Sequence, residues 1–172
     1  MIRVLAPLAF TLPLIAGLPS PQEALALAFP GAQLLRREQV LSEAQAARAK
    51  AAAGVDLAGT WLVVYEARRE GRLAGVAFFD THRVRTLNET AMVAVGAEGR
   101  ILRVEVVAFR EPDEYRAREA WVKQLEGRPL DEQLSLKRGI RPLAGATLTA
   151  NALVDASRRA LALYGVLYGA PK

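Results

Sequence analysis

Thr60-Trp61-Leu62-Val63-Val64-Tyr65-Glu66-Ala67 reads as a β-strand. Its residues are mostly β-branched, aromatic or large and apolar, the side chains that suit a pleated, half-buried surface. Arg69-Glu70-Gly71 follows as a hairpin turn, and Leu73 to Phe79 is the return strand. The pattern then repeats. Ala91 to Val95 and Ile101 to Val107 flank Ala97-Glu98-Gly99 as a second hairpin. In its second arm Leu102, Val104 and Val106 alternate with Arg103 and Glu105, the period of a strand with one buried face. Two successive hairpins predict an antiparallel sheet.

The flanking sequence supplies helices to cover it. Gln22 to Phe29 suits a short helix, and Pro30-Gly31 a turn. Leu34 to Leu41 is compatible with an edge strand. Ser42 has the character of an N-cap, with Gln45 at the capping-box position and Gly54 as the stop after the strong helix formers Ala44 to Ala53. Beyond the second hairpin, Phe109 to Asp113 is a loop. Pro112 suits a first helical position, and a helix is expected over Glu114 to Leu125, stopped by Gly127. Leu130 to Leu136 reads as an extended crossing segment. The last helix is expected from about Ala150 to Tyr164, where Leu153, Ala156, Ala160, Leu163 and Leu167 form one apolar stripe. Regular strand–helix alternation is missing, so the fold class is α+β: a twisted antiparallel sheet with packed helices in a single domain over residues 22–172.

Met1-Ile2-Arg3 precedes an apolar run from Val4 to Leu18. A positive start and an apolar stretch of about fifteen residues fit a secretory signal peptide over residues 1–21. A short retained membrane anchor is the alternative, although a full span needs about twenty residues. Either places the domain outside the cytoplasmic membrane, secreted or N-terminally anchored, in the periplasm or on the membrane's outer face.

Composition removes several chemistries. The chain has no cysteine, which excludes thiolate-held clusters, disulfides and thiol nucleophiles. It has one histidine, His82, so paired-histidine metal sites are excluded, and no G-x-S-x-G elbow supports a serine nucleophile. No G-x-G-x-x-G or Walker A loop is present. The net charge is +5, but no base-reading cluster or aromatic platform accompanies it, which argues against nucleic acid as a partner.

What remains is Ala144-Gly145-Ala146-Thr147-Leu148-Thr149-Ala150-Asn151, directly before the last helix. A helix start offers free N–H groups and the positive end of a dipole, both suited to an anion. Gly145 lets a phosphate approach the backbone, and Thr147 and Thr149 offer hydroxyls that bond it or are esterified to it. The plainer alternative is that one threonine caps the helix.

Gly145-Ala146-Thr147-Leu148-Thr149 resembles the S/T-G-A-T-x-T/S motif of the FMN-binding domain family. Two upstream segments share the resemblance. Val106 to Pro112, followed by Tyr115 and Trp121, is similar to the family's H-x-E-x-P loop and aromatic helix. Asp80 to Thr90 is similar to the T-H-x-V-R-T segment of a stand-alone branch. The resemblance covers roughly Leu25 to Tyr164. It implies FMN as cofactor, joined to Thr147 by a phosphoester that a flavin transferase installs after export. It implies a cofactor-binding set of Gly145, Ala146, Thr147, Thr149, Glu111, Tyr115, His82, Arg85 and Thr86. It implies an electron carrier rather than an enzyme with its own substrate, working with a redox partner protein or membrane electron-transfer complex. Ala144 and Arg141 stand where the family usually has serine or threonine and aspartate. The alternative is therefore a flavin-free or non-covalent binding or sensor module attached to a membrane redox complex.

Overall fold

Five antiparallel strands form one sheet in sequence order, β1 (Gln33–Val40), β2 (Trp61–Arg69), β3 (Arg72–Arg83), β4 (Asn88–Gly96) and β5 (Ile101–Phe109). The computed structural model describes residues 17–169; the proposed signal peptide or anchor falls outside that range as far as residue 16. Both expected hairpins are present, and the segment from Gln33 is indeed an edge strand. The first turn is a two-residue loop in which Glu70 (φ 51°) and Gly71 (φ 77°) both take left-handed backbone, so glycine at the second position relieves the strain of a primed turn.

Helices cover both faces. On one lie α2 (Glu43–Ala53) and α4 (Thr147–Tyr168), packed over Val64, Val76, Phe78, Ala91, Val93 and Val95. On the other, α1 (Pro21–Ala28) seats Ala24 and Leu25, with Phe29 just beyond it, against Ala67, Ala77, Met92 and Ala94. Ser42 and Gln45 form the expected reciprocal capping box on α2, and Ser20 and Glu23 form a second one on α1. The fold is α+β, as the two hairpins required.

Four local expectations are corrected. Val104 and Val106 are buried, but Leu102 is 39% exposed. A register shift pairs Ala94 with Arg103 and Val95 with Ile101, so Leu102 is the extra residue of a bulge and Ile101 takes the core position. The helix expected over Glu114 to Leu125 is broken. A 3₁₀ turn, Asp113–Tyr115, ends in extended backbone at Arg116; α3 is only Glu119–Val122 and continues into a 3₁₀ turn, Lys123–Leu125. Arg116 and Arg118 both bond the Asp113 carboxylate, which holds the chain in a local loop in place of a continuous helix. Leu130 to Leu136 is a run of turns, not an extended crossing, because the Asp131 carboxylate accepts the Gln133 and Leu134 amides. Finally, α4 starts at Thr147 and runs to Tyr168, longer at both ends than its apolar stripe indicated. Among the described residues no helix is long and apolar enough to cross a membrane.

Candidate functional site

The chain enters α4 through Gly145, whose φ of 77° a side chain would strain. Ala146 is the N-cap, and no side chain caps the helix. The expectation that a threonine serves as the cap is therefore not met. Thr147 is instead the first helical residue, with its side chain exposed. Ala146 N–H reaches Leu143 and Ala150 N–H reaches Ala146, whereas the amides of Thr147, Leu148 and Thr149 have no acceptor among the described residues. Three unpaired donors thus converge at the positive end of a 22-residue helix.

Thr149 behaves differently from its neighbour. It is fully buried, and its Oγ1 donates to the Tyr115 carbonyl at 2.7 Å. Its hydroxyl is spent on the fold, and its contribution to an anion site is its amide. That bond ties the helix start to the loop carrying Tyr115. The Arg85 guanidinium lies 4.5 Å from the Tyr115 ring centroid, in cation–π geometry. Arg85 sits in the β3–β4 turn, which Glu111 holds from the opposite side. Glu111 Oε1 accepts the amides of Arg85 (3.1 Å), Thr86 (2.6 Å) and Leu87 (2.8 Å). Thr86 Oγ1 adds a longer bond to the same carboxylate. The Leu87 and Thr86 amides hold the Glu111 carboxyl below the usual carboxylate range. Contacts therefore link Thr86, Glu111, Arg85, Tyr115 and Thr149, and the exposed Thr147 with Gly145 and Ala146 lies next to the last of them.

His82 is not in that chain. It points to the α4 side of β3, where Asp80, Glu89 and Arg159 surround it. Sequence reading missed these partners. Asp80 and His82 continue the face of Val76 and Phe78 at a period of two, so a polar interruption of an apolar face was visible. Arg159, 79 positions from its partner, gave no local signal. Also unforeseen is the support of the glycine loop. Trp121 Nε1 donates to the Arg141 carbonyl (2.8 Å), and Gln124 Oε1 accepts the Arg141 amide (2.8 Å). The Arg141 backbone is fixed while its exposed guanidinium has no partner among the described residues. A cavity of about 860 Å³ between α1, β5 and α3 and one of about 460 Å³ beside β2, β3 and α4 are not lined by residues 144–149. The start of α4 is exposed at Thr147 and Leu148.

Free amides at a helix start, a positive-φ glycine and an accessible hydroxyl suit an anion, and an arginine stacks on a tyrosine bonded to the same helix start. The family model for the FMN-binding domain matches residues 88–162, from the start of β4 into α4. That stretch, under half of the chain, matches the FMN-binding domain family, and the match supports a flavin-binding protein with FMN as its cofactor. The match contains Glu111, Tyr115, Thr147 and Thr149 and stops short of His82, Arg85 and Thr86. No curated protein matches the chain.

Proposed function

We propose that the protein is an extracytoplasmic electron carrier whose FMN is joined through its phosphate to Thr147. The observation that carries this reading is the placement of Thr147, exposed and uncapped among three amides with no acceptor among the described residues. A phosphate oxygen placed there replaces water on those amides, and the helix dipole offsets its charge. Thr147 Oγ1 would hold the flavin phosphorus as an ester, with net loss of one water, installed by a flavin transferase. FMN supplies the redox chemistry. The chain's part is to fix the phosphate, to present the guanidinium of Arg85 and the ring of Tyr115 beside it, and to keep the turn bearing Arg85 in place through Glu111. Electrons then come from and go to a redox partner protein or membrane electron-transfer complex. The apolar N-terminal run supports a location in the periplasm or on the outer face of the membrane.

A second reading, a module holding FMN without a bond, is favoured by one observation. Arg141, six residues before Thr147, and Arg85, stacked on Tyr115, carry no ion pair among the described residues, and unpaired cations suit a phosphate held by charge alone. Intact mass separates the two. The exported chain, co-produced with a flavin transferase, is expected to gain the mass of FMN less one water, and Thr147→Ala is expected to gain nothing. A yellow protein without that gain supports the non-covalent module. A colourless protein with no gain ends the carrier reading.

A further inference from the structure

Beneath α4 lies a buried set of charged groups that the phosphate site does not use. Glu89 is fully buried, and its Oε1 has no hydrogen-bond partner among the described residues. Its Oε2 lies 2.9 Å from His82 Nε2, and His82 Nδ1 lies 2.9 Å from Asp80 Oδ1. Asp80 in turn accepts both Arg159 Nε (2.6 Å) and a terminal nitrogen of the same guanidinium (2.9 Å). The Asp80 charge is therefore matched by Arg159, which leaves Glu89 and His82 to share what remains.

The orphaned oxygen decides how they share it. A buried carboxylate with an unpartnered oxygen is strongly disfavoured, whereas a neutral carbonyl in the same place costs far less. Placing one proton on Glu89 Oε2, donated to His82 Nε2, leaves only a neutral carbonyl unpaired. It also lets neutral His82 donate Nδ1–H to Asp80, so that every polar hydrogen has an acceptor. The group is then electrically neutral and poised to accept one proton more.

We propose that Glu89 and His82 form a buried proton-holding pair that gains a proton from solvent when negative charge arrives on the flavin and returns it when that charge leaves. This rests on the electron-carrier reading, in which a redox partner delivers and removes the electron pair. The added proton makes His82 an imidazolium that donates Nε2–H to Glu89 Oε2, and the carboxyl proton moves to the vacant Oε1. Two features support the coupling. His82 and Glu89 are register partners at the base of the hairpin whose tip holds Arg85 and Thr86, and His82 is three residues from Arg85, about 10 Å of strand at most. Protons have a way in, because Asp80 and Arg159 line the cleft of about 460 Å³ that the exposed Trp61 also borders. The charged groups facing the pair are Asp80 from β3, and Arg159 and the half-buried Asp155 from α4.

The test uses FMN-loaded protein. Its midpoint potential is followed against pH at an electrode with soluble mediators, for wild type, Glu89→Gln and His82→Gln. Infrared spectra of the same proteins are recorded at neutral pH. Wild type is expected to take up an additional proton per electron pair, seen as a steeper fall of potential with pH than in either variant. It is also expected to show a protonated-carboxyl stretch that Glu89→Gln lacks. Equal pH profiles in all three loaded proteins overturn the coupling, and a missing carboxyl band overturns the proton on Glu89. His82→Gln decides the coupling alone if Glu89→Gln does not fold. A wild type that binds no FMN shows no flavin absorbance at any pH, which ends the carrier reading and is distinct from equal slopes.

Discussion

Thr149 donates its hydroxyl to the backbone carbonyl of Tyr115 across 34 residues of sequence, at 2.7 Å and with no exposure of its own. The second threonine of the motif thus serves the frame around the start of α4, while Thr147 is exposed. Thr149→Val keeps the shape and removes the donor, leaving the Tyr115 carbonyl unpaired. The expected cost is about 1–3 kcal/mol of stability, with weaker FMN binding as the Tyr115 loop loosens. Thr149→Ser should restore most of both. Chemical denaturation and flavin titration check this; a valine variant as stable as wild type would remove the structural role.

In the proposed function, Glu111 acts on FMN only through the turn it holds. Glu111→Gln keeps an acceptor for the Arg85, Thr86 and Leu87 amides but gives up the charge that strengthens those bonds. Glu111→Ala removes the acceptor altogether. Both variants should lower the melting temperature and FMN affinity, alanine more than glutamine. Equal affinity in all three proteins would show that the turn is fixed by its own Val84–Leu87 hydrogen bond.

Arg85 presents a flat cation to Tyr115, and in the proposed function its charge also serves the phosphate. Arg85→Ala is expected to weaken FMN roughly tenfold, the loss of about one charge-assisted contact, with a smaller deficit at high salt. Arg85→Lys keeps the charge and loses the planar stacking, so its affinity should fall between the two. Titration of non-covalent FMN into Thr147→Ala carrying each change isolates this contact from the ester.

Which parts were legible in the sequence follows from the range of the forces involved. The β2–β3 hairpin could be read because Glu70-Gly71 has the chemistry of a primed turn and the flanking strands are β-branched and aromatic. The α2 boundary could be read because Ser42 and Gln45 satisfy each other within one helical turn. The motif before α4 stood out through its resemblance to the family's G-A-T motif, since a threonine at a helix start reads equally well as a cap. What stayed hidden depends on distant contacts. The helix expected after Pro112 breaks because Asp113 bonds Arg116 and Arg118, a choice that propensity does not record. Leu102 fails its alternation because of a register shift set by β4. The Asp80–Arg159 pair needs the α4–β3 packing before it exists.

That pair carries its own expectation. Asp80 and Arg159 are nearly buried, so Arg159→Leu strands a carboxylate against the sheet. A loss of about 3–5 kcal/mol is expected, the usual cost of removing one partner of a buried ion pair. Adding Asp80→Asn should recover part of it, because the stranded charge is removed as well. A double variant no more stable than Arg159→Leu would show that packing by the long arginine side chain, not its charge, dominates.

The same cluster sets how stability varies with pH. Burial alone would raise the Asp80 carboxyl, but hydrogen bonds from His82 and Arg159 outweigh it and hold it down at about 2, below its ordinary 3.8. Its contribution is present above pH 3.8 and is lost as pH falls through that window. Burial alone would lower the His82 imidazole, but Asp80 and Glu89 outweigh it and raise it to about 9 from 6.5. The proton that His82 and Glu89 share therefore stabilises the fold fully below pH 6.5, and that contribution drains away as pH rises through 9. Glu89, pushed up by burial, works in the same direction, since the folded chain keeps a proton that the unfolded chain has released. Stability should peak on the mildly acidic side of neutrality and fall towards both extremes. Melting temperatures measured from strongly acidic to alkaline buffer should show that arch. His82→Gln should flatten its alkaline limb and Asp80→Asn its acid limb. An alkaline limb as steep in His82→Gln as in wild type would assign the loss to groups outside the cluster.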